Sequence, residues 1–242
     1  MTTLSNSVRY RELVARAVRI CNDAGVMDVN GHVSVRDGDD PNVLWINDRH
    51  AGRATLTAAN VVPFDIRLGR RIGDGVEPPS EVPIHREIYL RRPEVGSIVH
   101  SHPHHVLALS AVGTVERPST TVGTFLPEAG APVFDSPVLI DTLARGEALA
   151  AALGDAPAIV LRQHGAVTVG SDVREAVVRM ICLEDNARKQ YGASIMGGVK
   201  YLVGGELAVL AVENWDNAVE KFWRYHDETA QRHGALDGVG GE

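Results

Sequence analysis

The sequence predicts one α/β domain, an α/β/α sandwich in which helices cover both faces of a largely antiparallel central sheet. Three observations carry that reading. Short β-like runs and amphipathic helical stretches mix without the strict strand–helix–strand rhythm of a parallel sheet. No internal repeat or interdomain linker interrupts the 242 residues, a length at which many α/β folds form one domain. Hydrophobic residues make up 44% and charged residues 23%, the balance of a chain able to bury a sizeable core. The domain is expected to span residues 1–233, leaving a flexible Gly-rich tail, 234–242, with little to pack.

Val8, Leu13, Val14, Ala17, Val18 and Cys21 recur at helical spacing, predicting a helix over 8–24 with Ser7 as N-cap and Gly25 as stop. The runs 32–36 and 43–46 read as a hairpin around the turn-rich segment 37–42. Ser80 can cap a helix running from Glu81 to about Arg92, with Pro83 confined to the first turn, where a missing N–H is tolerated. The runs 96–102 and 158–161 are β-like and deliver histidines at their C-terminal ends. Helices follow over 141–153, 171–194 and 215–232.

The formal net charge of -7 and scattered basic residues exclude the electrostatic footprint of a nucleic-acid partner. No stretch reaches the length of a membrane span, and Met1 to Ser7 lacks the apolar core of a signal peptide, so a cytoplasmic protein acting on a small molecule is expected. Cys21 and Cys182 sit far apart inside apolar helical patterns, where cysteine serves as a small hydrophobe.

Side chains alternate along a strand, so His100 and His102 point the same way. That pair is a two-ligand platform. A catalytic zinc takes three neutral or anionic protein ligands and keeps one position open, and His164, after an apolar strand and before Gly165, is the best third. His104 and His105 lie beyond Pro103, which breaks the alternation, and are read as lining the pocket or starting the next helix. His85, one helical turn after Glu81, is either a second residue behind the site, relaying protons, or an ordinary surface histidine. His32 carries no spacing argument.

The run from Pro79 to His102, with Ser80-Glu81 and His85 followed by His100-Ser101-His102, resembles the S-E-x-x-x-H … H-x-H block of the class II aldolase/adducin family, and Gln163-His164-Gly165 resembles its later N-H-G. The resemblance extends loosely from the first helix to about Tyr191. It implies that His100, His102 and His164 bind one divalent metal per subunit, zinc first with manganese, iron or cobalt as alternatives, and that Glu81 is the acid/base. It also implies a homotetramer.

Sugar-phosphate aldolases of that family have an early G-N-x-S, a T-x-S-G loop and a Ser-Ser pair that cradle phosphate. Here those stretches read Gly31-His-Val-Ser34, Asn47-Asp-Arg-His50 and Pro79-Ser80, so the phosphate nest is largely missing. The pattern looks more like the decarboxylase branch, which acts on hydroxylated aromatic or pyridine dicarboxylates. Arg36, Arg49 and Arg53 become candidate carboxylate clamps, with Ser80 a further substrate-binding candidate. Decarboxylation is the leading reading, with Glu81 titrating nearer neutrality through partial burial. The alternatives are an aldolase for an unphosphorylated hydroxycarbonyl substrate, an adducin-like scaffold without activity, and an iron oxygenase.

Overall fold

The computed structural model describes residues 2–212 and 215–241. The first helix, α1 (Thr2–Asp23), begins before Ser7, so Ser7 lies inside it rather than capping it; Gly25, at φ +73, follows its end in the left-handed region that glycine adopts without penalty. Strands β1 (His32–Arg36) and β2 (Val43–Asn47) form the expected antiparallel hairpin, and β3 (Val61–Asp65) and the short β4 (Arg70–Arg71) extend it. After them come α2 (Val82–Arg91), β5 (Ser97–Ser101) and α3 (His104–Ala111). The chain continues through β6 (Val133–Phe134), α4 (Leu143–Leu153), β7 (Ala158–Leu161) and β8 (Gly165–Gly170). It then enters the long α5 (Val173–Ile195), α6 (Gly204–Val212), which the sequence pattern did not suggest, and α7 (Trp215–Arg232).

The eight strands form one sheet in the order β4-β3-β2-β1-β5-β8-β7-β6. All neighbours are antiparallel except β6 and β7, which α4 joins as a crossover and which are therefore parallel. Each face carries its own apolar core. Val14, Val18, Val33, Val99, Val177 and Met180 pack α1 and α5 against one face; Ile46, Ile84, Ile88, Ile98, Leu149 and Val167 pack α2 and α4 against the other. The expected sandwich thus follows from strand alternation, because odd and even positions of one strand feed opposite cores.

Thr142 and Asp172 cap α4 and α5, accepting from the N–H groups of Arg145 and Glu175. Cys21 and Cys182 are buried and unpaired with each other, and burial pushes both thiols up to about 12, consistent with packing rather than reactivity. No helix among the described residues is long and apolar enough to cross a membrane.

Residues 234–241 lie against α1: buried Arg19 donates to the carbonyls of Leu56, Ala235 and Asp237, Val239 accepts from the N–H of Ala58, and Leu236 packs on the core. Glycine-rich composition gave no sign of this, since carbonyl acceptors are present in any sequence. Arg19→Met should lower stability by on the order of 2 kcal/mol, because three carbonyls lose their donor. Urea unfolding measures that loss, and amide exchange over 234–241 should accelerate beyond the rest of the chain.

Candidate functional site

Strand alternation decides which side chains meet. On β1, Val33 and Val35 enter the α1/α5 core, which turns His32 and Ser34 toward α2. On β5, Val99 takes the first core and Ile98 the second, sending His100 to the α2 face as well. The β1–β5 register pairs His32 with His100, and their rings lie 4.8 Å apart. His102 follows directly after β5, its ring 5.2 Å from that of His100.

His164 comes from the turn 162–164 between β7 and β8, its ring 5.2 Å from His100 and 5.6 Å from His102. That turn holds Gln163 at φ +56, an unfavourable backbone for a residue with a Cβ, fastened by the Gln163 N–H to Ser110 Oγ and the His164 N–H to the Leu161 carbonyl. Gly165 lets the turn press in: a Cβ there would stand 2.5 Å from the Ser101 carbonyl and 2.8 Å from the His102 ring.

Glu81 enters from the start of α2. The helix begins at Val82, one residue later than expected, so Glu81 rather than Ser80 occupies the N-cap position. Its side chain does not cap. Oε1 accepts from the buried N–H of Ile140 at 2.9 Å, which turns the carboxylate toward the imidazoles. Oε1 is then 3.4 Å from His164 Nε2, and Oε2 is 3.6 Å from His100 Nε2 and 3.9 Å from His32 Nε2. Burial alone would raise the carboxyl, but the facing imidazoles of His100, His164 and His32 outweigh it and hold it well below the usual range. This corrects the expectation of a carboxyl nearer neutrality: the sequence showed the burial and not the ring of imidazoles.

The donor set has a direction. His100 Nδ1 donates to the Ala166 carbonyl and His102 Nδ1 pairs with Asp28, which leaves the lone pair of each Nε2 facing inward. Burial pushes His100 down to about 3, so its imidazole is neutral. Nε2 of His100, His102 and His164 are all buried without a hydrogen-bond partner among the described residues. Ligand atoms of these three side chains lie within 4.8 Å of one another. Three buried imidazole nitrogens without protein partners, with a carboxylate beside them, suit a divalent ion such as zinc.

Behind this cluster runs a buried chain. His32 Nδ1 meets His85 Nε2 at 2.7 Å, His85 Nδ1 meets Ser34 Oγ at 2.7 Å, and Ser34 Oγ meets Tyr89 Oη at 2.9 Å. His85 is therefore not a surface residue but fully buried, and burial holds both His85 and His32 below the usual histidine range. His104 and His105 begin α3, where His105 Nδ1 pairs with Glu184.

A cavity of about 360 Å³ opens over the cluster, lined by Arg49, Arg53 and Ser80 together with His32, Glu81, His102 and His164. Arg53 is buried, its Nε donating to the Gly31 carbonyl and its Nη1 to that of Ala51. Arg36 is elsewhere. Its guanidinium stacks on Tyr89 and donates to the carbonyls of Pro41, Tyr89, Arg92 and Val95, so it braces the β1–α2 junction and is not a clamp. A larger recess of about 520 Å³, near Phe125 and Trp215, is mainly apolar and holds none of the metal-ligating clusters.

Sequence reasoning missed His32 and Asp28. His32 was detectable in principle: it alternates with Val33 and Val35, so it shares a face with Ser34, but the strand register that sets it beside His100 is a tertiary fact.

The sequence profile described as Class II Aldolase and Adducin N-terminal domain matches residues 12–191. A 3,4-dihydroxyphthalate decarboxylase of Terrabacter sp. (strain DBF63) is 36% identical over 203 residues, 78% of this chain and 83% of the relative. An L-fuculose phosphate aldolase of Methanococcus maripaludis (strain DSM 14266) is 29% identical over 175 residues, 72% of this chain and 90% of the relative. Among solved structures, the L-fuculose 1-phosphate aldolase of Glaciozyma antarctica PI12 superposes with a TM-score of 0.81 at 23% identity, covering 96% of this chain and 94% of that one, which establishes the shared fold.

Replacing His100, His102 or His164 by Ala should drop bound divalent metal from about one ion per chain to a small fraction, since two remaining imidazoles leave the set incomplete. Elemental analysis after dialysis checks this. Full occupancy in all three variants would remove the assignment.

Proposed function

Because the chain belongs to the class II aldolase and adducin family, we propose that it is a metal-dependent carbon–carbon lyase that decarboxylates a hydroxylated aromatic or heteroaromatic dicarboxylate. The observation that carries this reading is the junction, in one cavity, of a convergent His/Glu cluster with two arginines. The identity with a dihydroxyphthalate decarboxylase supports it. So does the loop 47–53, where Asp48 Oδ1 spends itself on the N–H groups of His50 and Ala51 and the loop presents guanidinium groups instead of a hydroxyl-rich nest.

His100, His102 and His164 would hold the ion, and zinc suits that set. When bound, the ion supplies Lewis-acid stabilisation of the electron pair left behind as the carbon–carbon bond breaks. Arg49 and Arg53 orient the ring by holding the carboxylate that stays, since a guanidinium offers a planar pair of donors. Glu81 moves the proton. Its Oε1 is fixed by the Ile140 N–H, which leaves Oε2 as the mobile acceptor. Ionised at neutral pH, Oε2 takes the proton from the hydroxyl beside the departing carboxylate and, once CO₂ has left, returns it to the ring carbon; the product hydroxyl regains its proton from water.

Glu81→Gln keeps the shape and removes the proton carrier, so kcat should fall by ~10²–10⁴ while bound metal stays. Wild-type turnover across pH in that variant would leave Glu81 no part in proton transfer. The reaction class is tested by incubating the metal-loaded protein with 3,4-dihydroxyphthalate and with L-fuculose 1-phosphate while following CO₂ and aldehyde in parallel. Release of CO₂ from the aromatic acid alone is expected. Aldehyde from the sugar phosphate without CO₂ from the aromatic acid would make the protein an aldolase.

A further inference from the structure

The sheet holds His100 from both sides, since β5 pairs with β1 and with β8 at that residue. His102 has no such support. The β5–β8 ladder ends where Ser101 pairs with Ala166, so His102 stands one residue beyond the last strand pairing. Asp28 holds its ring and not its backbone. Only Pro103 separates His102 from α3, so the place of its backbone depends on where α3 begins.

α3 cannot cap itself. The first turn of a helix leaves N–H groups in need of acceptors, and none of Pro103, His104, His105 and Val106 carries a carboxylate or hydroxyl. The acceptor comes from α5 instead. Glu184 takes the His105 N–H on its two oxygens, at 3.1 and 3.0 Å, and the Val106 N–H on Oε2 at 3.2 Å. The His105 ring meets Oε1 through Nδ1 at 2.6 Å. A carboxylate also suits the positive end of a helix. Glu184 is itself well anchored, because Leu183 beside it and Met180 a turn earlier are buried in the core.

The far end of α3 reaches a second candidate ligand. Ser110 Oγ accepts the Gln163 N–H at 3.0 Å, and Gln163, in its left-handed backbone, directly precedes His164. One helix therefore braces the backbone beside His102 at its start and beside His164 at its end. Val106 and Leu109 pack α3 into the core, but apolar contact is non-directional; hydrogen bonds to two adjacent peptide N–H groups fix where the helix sits along its axis and how it is turned. Glu184 does not line the cavity over the cluster, so it acts from outside the site. We infer that Glu184 is a positioning residue of the metal centre: by fastening the first turn of α3 to α5, it sets the spacing of His102 and His164 for the ion. The inference rests on the assignment of those histidines as ligands, and not on the reaction proposed above.

The test uses the full-length protein with two readouts, zinc affinity by competition with a chelating dye and the visible absorption of the cobalt-substituted protein, whose bands report ligand geometry. Glu184→Ala removes every acceptor and should weaken zinc binding about tenfold or more, the loss usual for groups that orient metal ligands, with altered cobalt bands. Glu184→Gln keeps one accepting oxygen and should fall between Glu184→Ala and the wild type. His105→Ala removes the ring contact alone, leaves both peptide bonds to Glu184, and should bind zinc as the wild type does. Asp227→Ala breaks an ion pair with Arg16, between α1 and α7, and reports a loss of stability away from α3; its zinc affinity and cobalt bands should stay those of the wild type. Wild-type affinity and bands in Glu184→Ala would overturn the inference, as would an equal loss in His105→Ala or in Asp227→Ala. Should Glu184→Ala fail to fold, Glu184→Gln decides by the same criteria. A wild type that binds no divalent ion would remove the metal centre and this inference together. If the variants behave as stated while 3,4-dihydroxyphthalate releases no CO₂, the proposed reaction fails and the role of Glu184 stands.

Discussion

Three imidazole Nε2 atoms and a carboxylate converge on one buried space at the junction of β5, the β7–β8 turn and the start of α2. Buried nitrogens without protein partners beside a carboxylate form a donor set that a divalent cation would complete. The surrounding contacts hold the groups in that arrangement. The Ala166 carbonyl and Asp28 occupy the outward nitrogens of His100 and His102, and the Ile140 N–H holds Glu81 inward. A site built this way would take an ion without reorganisation.

The scaffold accepts local cost to reach that geometry. Gln163 adopts a left-handed backbone in the turn that presents His164, and Gly165 permits an approach to Ser101 that a Cβ would forbid. Both sit within two residues of a candidate ligand. The sheet itself is ordinary, a mostly antiparallel layer with two apolar cores. Departures from regular structure are therefore concentrated where imidazoles must meet.

The same fold serves aldolases and decarboxylases among the relatives. A shared fold does not by itself fix the chemistry; the residues of the site do. In this chain the wall of the cavity carries Arg49, Arg53 and His32. His85, Ser34 and Tyr89 back His32, tying its position to the β1–β5 register and the packing of α2.

The sequence by itself determined the parts that local rules govern. Apolar periodicity located α1, α4, α5 and α7, alternation set His100 and His102 on one side of a strand, and the resemblance to the family's S-E-x-x-x-H … H-x-H and N-H-G motifs singled out Glu81 beside the three histidines. It did not determine which distant segments touch. Arg36 looked equivalent to Arg49 and Arg53, yet four backbone carbonyls of the β1–α2 junction take up its donors. The glycine-rich tail looked unsupported, yet Arg19 and Ala58 hold its carbonyls. Alternation put His32 on the same face as Ser34, but its place opposite His100, across two strands separated by more than sixty residues, is set by register. Hydrogen-bond partners and pKa directions depend on groups brought together through space, and a one-dimensional pattern encodes the faces of elements but not the register at which the faces meet.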